Sequence, residues 1–166
     1  MHHEVMVVSV VNAQREVVVD TARMGRLARQ VVRALRIRAP GTLAITFIGA
    51  RRIRSLNRRF LRHDRTTDVL SFRYDHAAGG SGLGAQGNCP EPTAQSPERL
   101  VVGEILIAPA QARAYAKRHG LPYEEELSRY VVHGLLHWMG HDDRTAAQQQ
   151  TMRTMEDRLL KRCQTL

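Results

Sequence analysis

At 166 residues the chain is long enough for one domain and too short for two ordinary ones, and a chain of this size buries enough surface to hold a core without covalent staples. Cys89 and Cys163 stand far apart with no CxxC pairing, so no disulfide framework is expected and the composition fits a reducing compartment. The formal net charge of +9 and a pI near 10.7 favour nucleic acid over acidic proteins as a partner, although charge alone does not decide function.

The first apolar segment, Val5 to Val11, is interrupted by Ser9, has no Lys or Arg before it and no small-residue cleavage site behind it. It reads as a strand and not as a signal peptide. No run approaches the roughly 18 apolar residues of a membrane helix, so no membrane association and a cytoplasmic location are expected. Asp20 can cap a helix in which Met24, Leu27, Ala28, Val31 and Leu35 recur at helical spacing, ending before Pro40. Its other face carries Arg26, Arg29, Arg33 and Arg36.

Thr42 to Ile48 is a second β-branched-rich strand. A short helix follows over Arg51 to Leu61, with Ile53, Leu56 and Phe60 on one side and Arg52, Arg58, Arg59 and Arg62 around the rest. Asp68 to Phe72 and Leu100 to Ile107 are the remaining strands. Between them, from about 75 to 98, Gly, Ser, Pro, Asn and Gln dominate, and a stretch this poor in large apolar residues is expected to be a flexible loop insertion between neighbouring strands. Helices are expected over Pro109 to His119 and Tyr123 to Met139. A last helix is opened by Thr145 and Gln148 at capping-box spacing, with Met152, Met155 and Leu159 inward. Strands and helices mix without strict alternation, which predicts a single α+β domain over 1–166, a small mixed four-stranded sheet packed with about five helices.

The segment His133-Gly134-Leu135-Leu136-His137-Trp138-Met139-Gly140-His141-Asp142-Asp143 carries the chemistry. Residues four apart on a helix project from one face, so His133 and His137 can share a metal ion. Their neighbours Val131, Val132, Leu135, Leu136, Trp138 and Met139 are apolar, so the helix is expected to be buried, and two imidazoles there need a common partner to offset desolvation. Gly140 can end the helix in a left-handed turn that brings His141, Asp142 and Asp143 back toward the pair. Three protein ligands and an open position for water form the pattern of a catalytic metal site. A metalloprotease helix would place Glu directly after the first His. Gly134 stands there instead, which disfavours proteolysis.

With these residues in view the chain resembles the YbeY family of metal-dependent endoribonucleases. The likeness is carried by Leu56-Asn57 through Thr67-Asp68-Val69-Leu70-Ser71-Phe72, by Gly103-Glu104-Ile105 and by the His133 to Asp143 motif. The resemblance implies the α+β fold, one Zn2+ per chain, cleavage of single-stranded RNA, and association with ribosomal RNA and the ribosome in small-subunit rRNA maturation and ribosome quality control. It also implies that Asp68, Ser71 and Glu104 line the RNA pocket. Two departures stand out. The family usually has His where this chain has Asp143, and an aromatic residue where it has His141. By position Asp143 is the favoured third ligand beside His133 and His137, with His141 as the alternative. The family's loop arginine is replaced by Leu61, which leaves Arg62 and Arg59 as the candidates to meet the scissile phosphate.

The expected mechanism is therefore metal-assisted hydrolysis around His133 and His137, with Arg59, Arg62 and Arg65 neutralising phosphates along a strand of RNA. Two other readings stand beside it: a metal-dependent hydrolase of another substrate, and a non-catalytic ribosome assembly factor with a structural metal.

Overall fold

The computed structural model describes residues 6–61, 68–74 and 100–163. The expected loop at about 75–98 lies outside the described residues, as do Cys89, Arg62 and Arg65.

The chain enters through β1 (Val7–Asn12) and turns into α1 (Thr21–Ala34). The Asp20 carboxylate accepts the Arg23 N–H at 2.9 Å, satisfying one orphan donor at the helix start. Met24, Leu27, Ala28, Val31 and Val32 form the buried stripe. The helix stops a residue earlier than its apolar pattern suggests. Arg36 takes a left-handed φ of 53°, its N–H reaches Arg33 O at 3.0 Å, and the Ile37 N–H reaches Val32 O at 3.1 Å. This is a Schellman closure with Arg where Gly is usual.

β2 (Thr42–Phe47) pairs in parallel with β1, and α2 (Ala50–Leu61) follows it. β3 (Val69–Arg73) is displaced by one residue from the expected strand, a shift within ordinary boundary scatter. β4 (Val101–Ile107) pairs parallel with β2 and antiparallel with β3, which gives the mixed sheet order β1-β2-β4-β3. α3 (Pro109–His119) opens on Pro109 and closes on Gly120, whose φ of 64° suits a left-handed cap. α4 (Tyr123–Trp138) begins with Glu124, Glu125 and Glu126, acids that complement the positive end of the helix dipole. α5 (Ala146–Cys163) is opened by the expected capping box: the Gln148 N–H bonds Thr145 Oγ1 at 3.2 Å, and the Thr145 N–H bonds Gln148 Oε1 at 3.0 Å. No helix among the described residues is long and apolar enough to cross a membrane.

One sheet face, with Leu43, Ile45, Phe47, Ile105 and Ile107, packs under α1, α4 and α5 and forms the main core. α2 closes a smaller cluster of Ile48, Ile53, Leu70 and Leu106 on the other face. α4 sits unusually deep on the sheet because two glycines remove side chains from the contact. A Cβ on Gly134 would come within 2.6 Å of Ile105 Cγ2, and one on Gly103 within 2.0 Å of Trp138 Nε1. The helix that carries the two histidines is thereby fixed at short range against β4.

Candidate metal centre

One turn of α4 separates His133 from His137, and the rings meet edge to face with centroids 4.4 Å apart. Their Nε2 atoms approach to 2.9 Å. Beyond α4, Gly140 adopts φ 101°, the Gly140 N–H bonds His137 O at 2.9 Å, and the His141 N–H bonds Leu136 O at 3.1 Å. The left-handed turn reverses the chain and brings Asp143 Oδ2 to 3.5 Å from His137 Nε2 and 3.7 Å from His133 Nε2. The three ligand atoms lie within 4.8 Å of one another.

The tautomers follow from the partners on the far side of each ring. His133 Nδ1 faces Glu156 Oε1 at 2.7 Å, and His137 Nδ1 faces the backbone oxygen of His141 at 2.9 Å. A carboxylate and a carbonyl only accept, so each Nδ1 carries the hydrogen. In the neutral rings both Nε2 atoms are then bare lone pairs, aimed at each other and at a carboxylate oxygen. Three acceptors converge with no donor among them. That arrangement is repulsive unless positive charge, a shared proton or a metal ion, stands among them, and two imidazoles with a carboxylate make a donor set that fits a metal ion. Donors 2.0–2.1 Å from a tetrahedral ion would be about 3.3 Å apart, and the separations seen here bracket that value.

Glu156 is 5% exposed. Burial alone would raise its pKa, but the hydrogen bond from His133 and the ion pair with Arg129 outweigh that and hold it below the usual carboxylate range. Arg129 reaches Glu156 Oε2 at 2.9 Å and Asp157 Oδ1 at 2.7 Å, so α5 and α4 are tied by a chain running Asp157, Arg129, Glu156, His133. A carboxylate behind a ligating histidine fixes its tautomer and ring angle and strengthens it as a donor.

The centre opens into a cleft of about 1460 Å³ bounded by β3, α4, α5 and the turn between them. Asp68 and Tyr130 stand on its wall. Desolvation raises the Asp68 carboxyl above its ordinary range, while a hydrogen bond from Tyr130 and the field of Arg118 pull it back. Tyr130 is shifted well upward by burial and by the acids Asp68 and Glu126, so it stays a neutral donor. Arg144 and Arg153 add positive charge at the mouth, Arg144 also pairing with Asp142 at 3.0 Å.

Several residues singled out in the sequence meet here, and others do not. His133, His137, Asp143, Asp68 and Ser71 all border the cleft. Ser71 lends its hydroxyl to Gly134 O at 2.9 Å, a strand-to-helix bond that seats α4. His141 meets the site through its backbone oxygen. Glu104 is not among the cleft residues: it alternates with Gly103 and Ile105, which face α4, and so projects from the other side of the sheet, where Tyr74 Oη lies 3.5 Å from its Oε2. Arg59 is exposed on the last turn of α2 with its guanidinium 5.7 Å from the Phe60 ring, and it too does not line the cleft. Arg62 and Arg65 belong to the stretch outside the described residues.

Sequence reasoning missed Glu156, Arg129, Glu126 and Tyr130. A signal for Glu156 was present, because it shares the inner face of α5 with Met152, Leu159 and Leu160, and a charge on an otherwise apolar stripe marks a buried partner.

A family model described as Endoribonuclease YbeY matches residues 9–164. The Endoribonuclease YbeY of Pelotomaculum thermopropionicum is 31% identical over 160 residues, covering 95% of this chain and 97% of that protein. That of Myxococcus xanthus is 36% identical over 118 residues, 71% of this chain but only 35% of the longer relative. A solution structure from Thermotoga maritima, 18% identical, covers 95% of this chain and 92% of the other with a TM-score of 0.52, a likeness of fold.

Proposed function

From the premise that this chain belongs to the Endoribonuclease YbeY family, we propose that it is a zinc-dependent endoribonuclease that cleaves single-stranded RNA and acts in the cytoplasm on ribosomal RNA during small-subunit maturation and ribosome quality control, in association with the ribosome. The single observation that carries the chemistry is the convergence of His133 Nε2, His137 Nε2 and Asp143 Oδ2 within 4.8 Å of one another. Two imidazoles and one carboxylate suit zinc.

Among the described residues three side chains converge, one fewer than a closed structural shell needs. That count favours a catalytic site over a structural one. When bound, zinc would supply Lewis acidity toward a phosphoryl oxygen and lower the pKa of water to about 7. The rest falls to the chain's own groups. Glu156 and the His141 carbonyl hold the two imidazoles with their Nε2 atoms turned into the cleft. Arg144 and Arg153 at the mouth neutralise phosphates of the strand. The Tyr130 hydroxyl keeps its proton and hydrogen-bonds Asp68, so the Asp68 carboxyl is held in place at the cleft wall, where it can accept a proton from an attacking water. The cleft is open and large enough for several nucleotides of unpaired strand. Gly134 stands where a peptide-cleaving helix has its Glu base, so a phosphodiester fits this site better than a peptide.

The test measures zinc content and cleavage of unstructured RNA on one purified preparation, before chelation, after chelation and after zinc is returned. Activity should follow zinc through all three states. Full cleavage by metal-free protein would sink the reading.

A further inference from the structure

We infer that α1 and its C-terminal turn form a second RNA-backbone contact, a stripe of guanidinium groups that grips phosphates of the substrate away from the cleft. The inference rests on the RNA-cleaving function proposed above and adds where the rest of the strand lies.

Arg26, Arg29 and Arg33 follow one another at spacings of three and four residues, so they line one face of α1 over about 10 Å, and Arg36 follows them in the capping turn. Arg38 continues the line just past the turn. All five are exposed, and among the described residues none pairs with a carboxylate. Arg23, one turn earlier on α1, does pair, with Glu124. The helix holds no acidic residue in its first turn, and its stripe is cationic throughout. Arg33, Arg36 and Arg38 surround a shallow hollow floored by Ile37.

A second, independent observation is the backbone of Arg36. Its φ of 53° lies in the left-handed region, at the helix-capping position where Gly is usual. A side chain there is strained relative to glycine. The chain carries that strain at the residue whose guanidinium closes the stripe, and strained positions cluster where side chains bind.

Chemistry selects the occupant. Arginines present planar paired donors that match phosphate oxygens two at a time. No large exposed apolar residue lies on α1, so the stripe lacks the anchors with which a helix enters a membrane or a protein interface is centred. RNA backbone needs neither. The stripe is not part of the cleft: α1 packs on β1, the sheet edge opposite β3, which the cleft borders, three strand spacings or about 14 Å away; its contacts with α4 and α5 come from α1's other, buried face, and none of the stripe's arginines lines the cleft. Only an RNA that extends beyond the scissile phosphodiester reaches both.

The experiment compares wild type with the triple variant R26Q/R29Q/R33Q, in which glutamine keeps helix propensity, and with R36G, which relieves the strain and should fold at least as well. Binding of an unstructured RNA of about 30 nucleotides is titrated against salt, and cleavage is followed on that RNA and on a dinucleotide. Loss of three phosphate contacts should weaken binding about 10- to 100-fold at 0.1 M salt and flatten the salt slope by about 2. KM for the long RNA should rise with kcat held, and dinucleotide cleavage should not change. R36G should raise Tm or leave it alone while weakening RNA binding about 3- to 5-fold. If wild type binds and cleaves the long RNA and both variants match it in affinity and slope, the stripe has no such role and the cleft reading stands. If the arginines govern binding to anionic phosphatidylglycerol vesicles and not to RNA, the stripe is a lipid contact and the inference falls. If wild type neither binds nor cleaves RNA, both readings fail together.

Discussion

His133 and His137 face each other across a single turn of α4, yet they are held by different means. His133 donates to a side chain, the buried Glu156 carboxylate, which Arg129 anchors in turn. His137 donates to a backbone oxygen that the Gly140 turn presents. One support is therefore set by the packing of two helices, and the other by the geometry of a loop. The first can be removed by changing one residue and can respond to α5. The second survives any side-chain change at position 141. The site combines a ring whose orientation is adjustable with one that is fixed as soon as α4 is capped.

The sharpest break removes a ring itself. His137→Ala leaves two of the three converging ligand atoms. It should abolish stoichiometric zinc and reduce RNA cleavage to background, a larger effect than the roughly 10- to 100-fold that follows loss of an orienting partner. Metal analysis and circular dichroism on one sample separate lost binding from lost fold. A variant that retained both zinc and cleavage would dismiss the converging pair as the centre of the chemistry.

Next comes the adjustable side. Glu156→Ala strands the His133 Nδ1–H and leaves Arg129 with Asp157 alone. Zinc affinity, read by competition with a chromophoric chelator, should fall about 10- to 100-fold. Stability should fall by about 1 to 3 kcal/mol in urea unfolding of the metal-free protein, since a buried donor loses its partner. Glu156→Gln keeps an oxygen that can accept from His133, so it should recover much of the affinity. Equal losses in the two variants would mean that charge, and not ring orientation, is what Glu156 provides.

Both supports presume that α4 lies at its observed depth, and that depth is a packing property. Gly134→Ala places a methyl where Ile105 Cγ2 would be 2.6 Å and Val69 Cγ1 2.9 Å away. Overpacking of this kind costs about 1 to 3 kcal/mol, and Tm should drop accordingly. Zinc affinity should fall less than in Glu156→Ala, because helix and turn move together as a unit. An affinity loss larger than that of Glu156→Ala would place the helix-to-sheet distance, and not the carboxylate, in control of the site.

What the sequence revealed of this site follows the same division. The His133/His137 spacing, the Gly140 turn and the return of Asp143 are local, encoded within eleven consecutive residues, and local periodicity with turn chemistry is enough to read them. The four strands and five helices were legible for the same reason, because capping by Asp20 and Thr145 and alternation in Thr42–Phe47 are near-neighbour signals. Glu156 lies 23 residues from His133 on another helix, and nothing in its own neighbourhood specifies which ring it meets. Glu104 is the opposite case. It sits in the chain between Gly103 and Ile105, which face α4, but strand alternation turns it to the far face of the sheet. The sheet order β1-β2-β4-β3, which sets β1 and β3 at opposite edges, also depends on long-range pairing that no short motif carries.

The smallest expected effect tests the fixed support. Because His141 serves the site through its carbonyl, His141→Ala should change zinc affinity by less than about 2-fold. Asp143→Ala, two residues on, removes the oxygen that stands 3.5 Å and 3.7 Å from the two Nε2 atoms, and should cost far more. The imidazole of His141 is exposed and the three-residue convergence does not include it. Chelator competition on the pair of variants therefore assigns the third ligand by rank alone. If His141→Ala lost more zinc than Asp143→Ala, the turn would have to rearrange on binding so that the ring replaced the carboxylate. His137 would then lose its fixed carbonyl partner at the moment the metal arrived, and the contrast between the two rings would exist only in the metal-free protein.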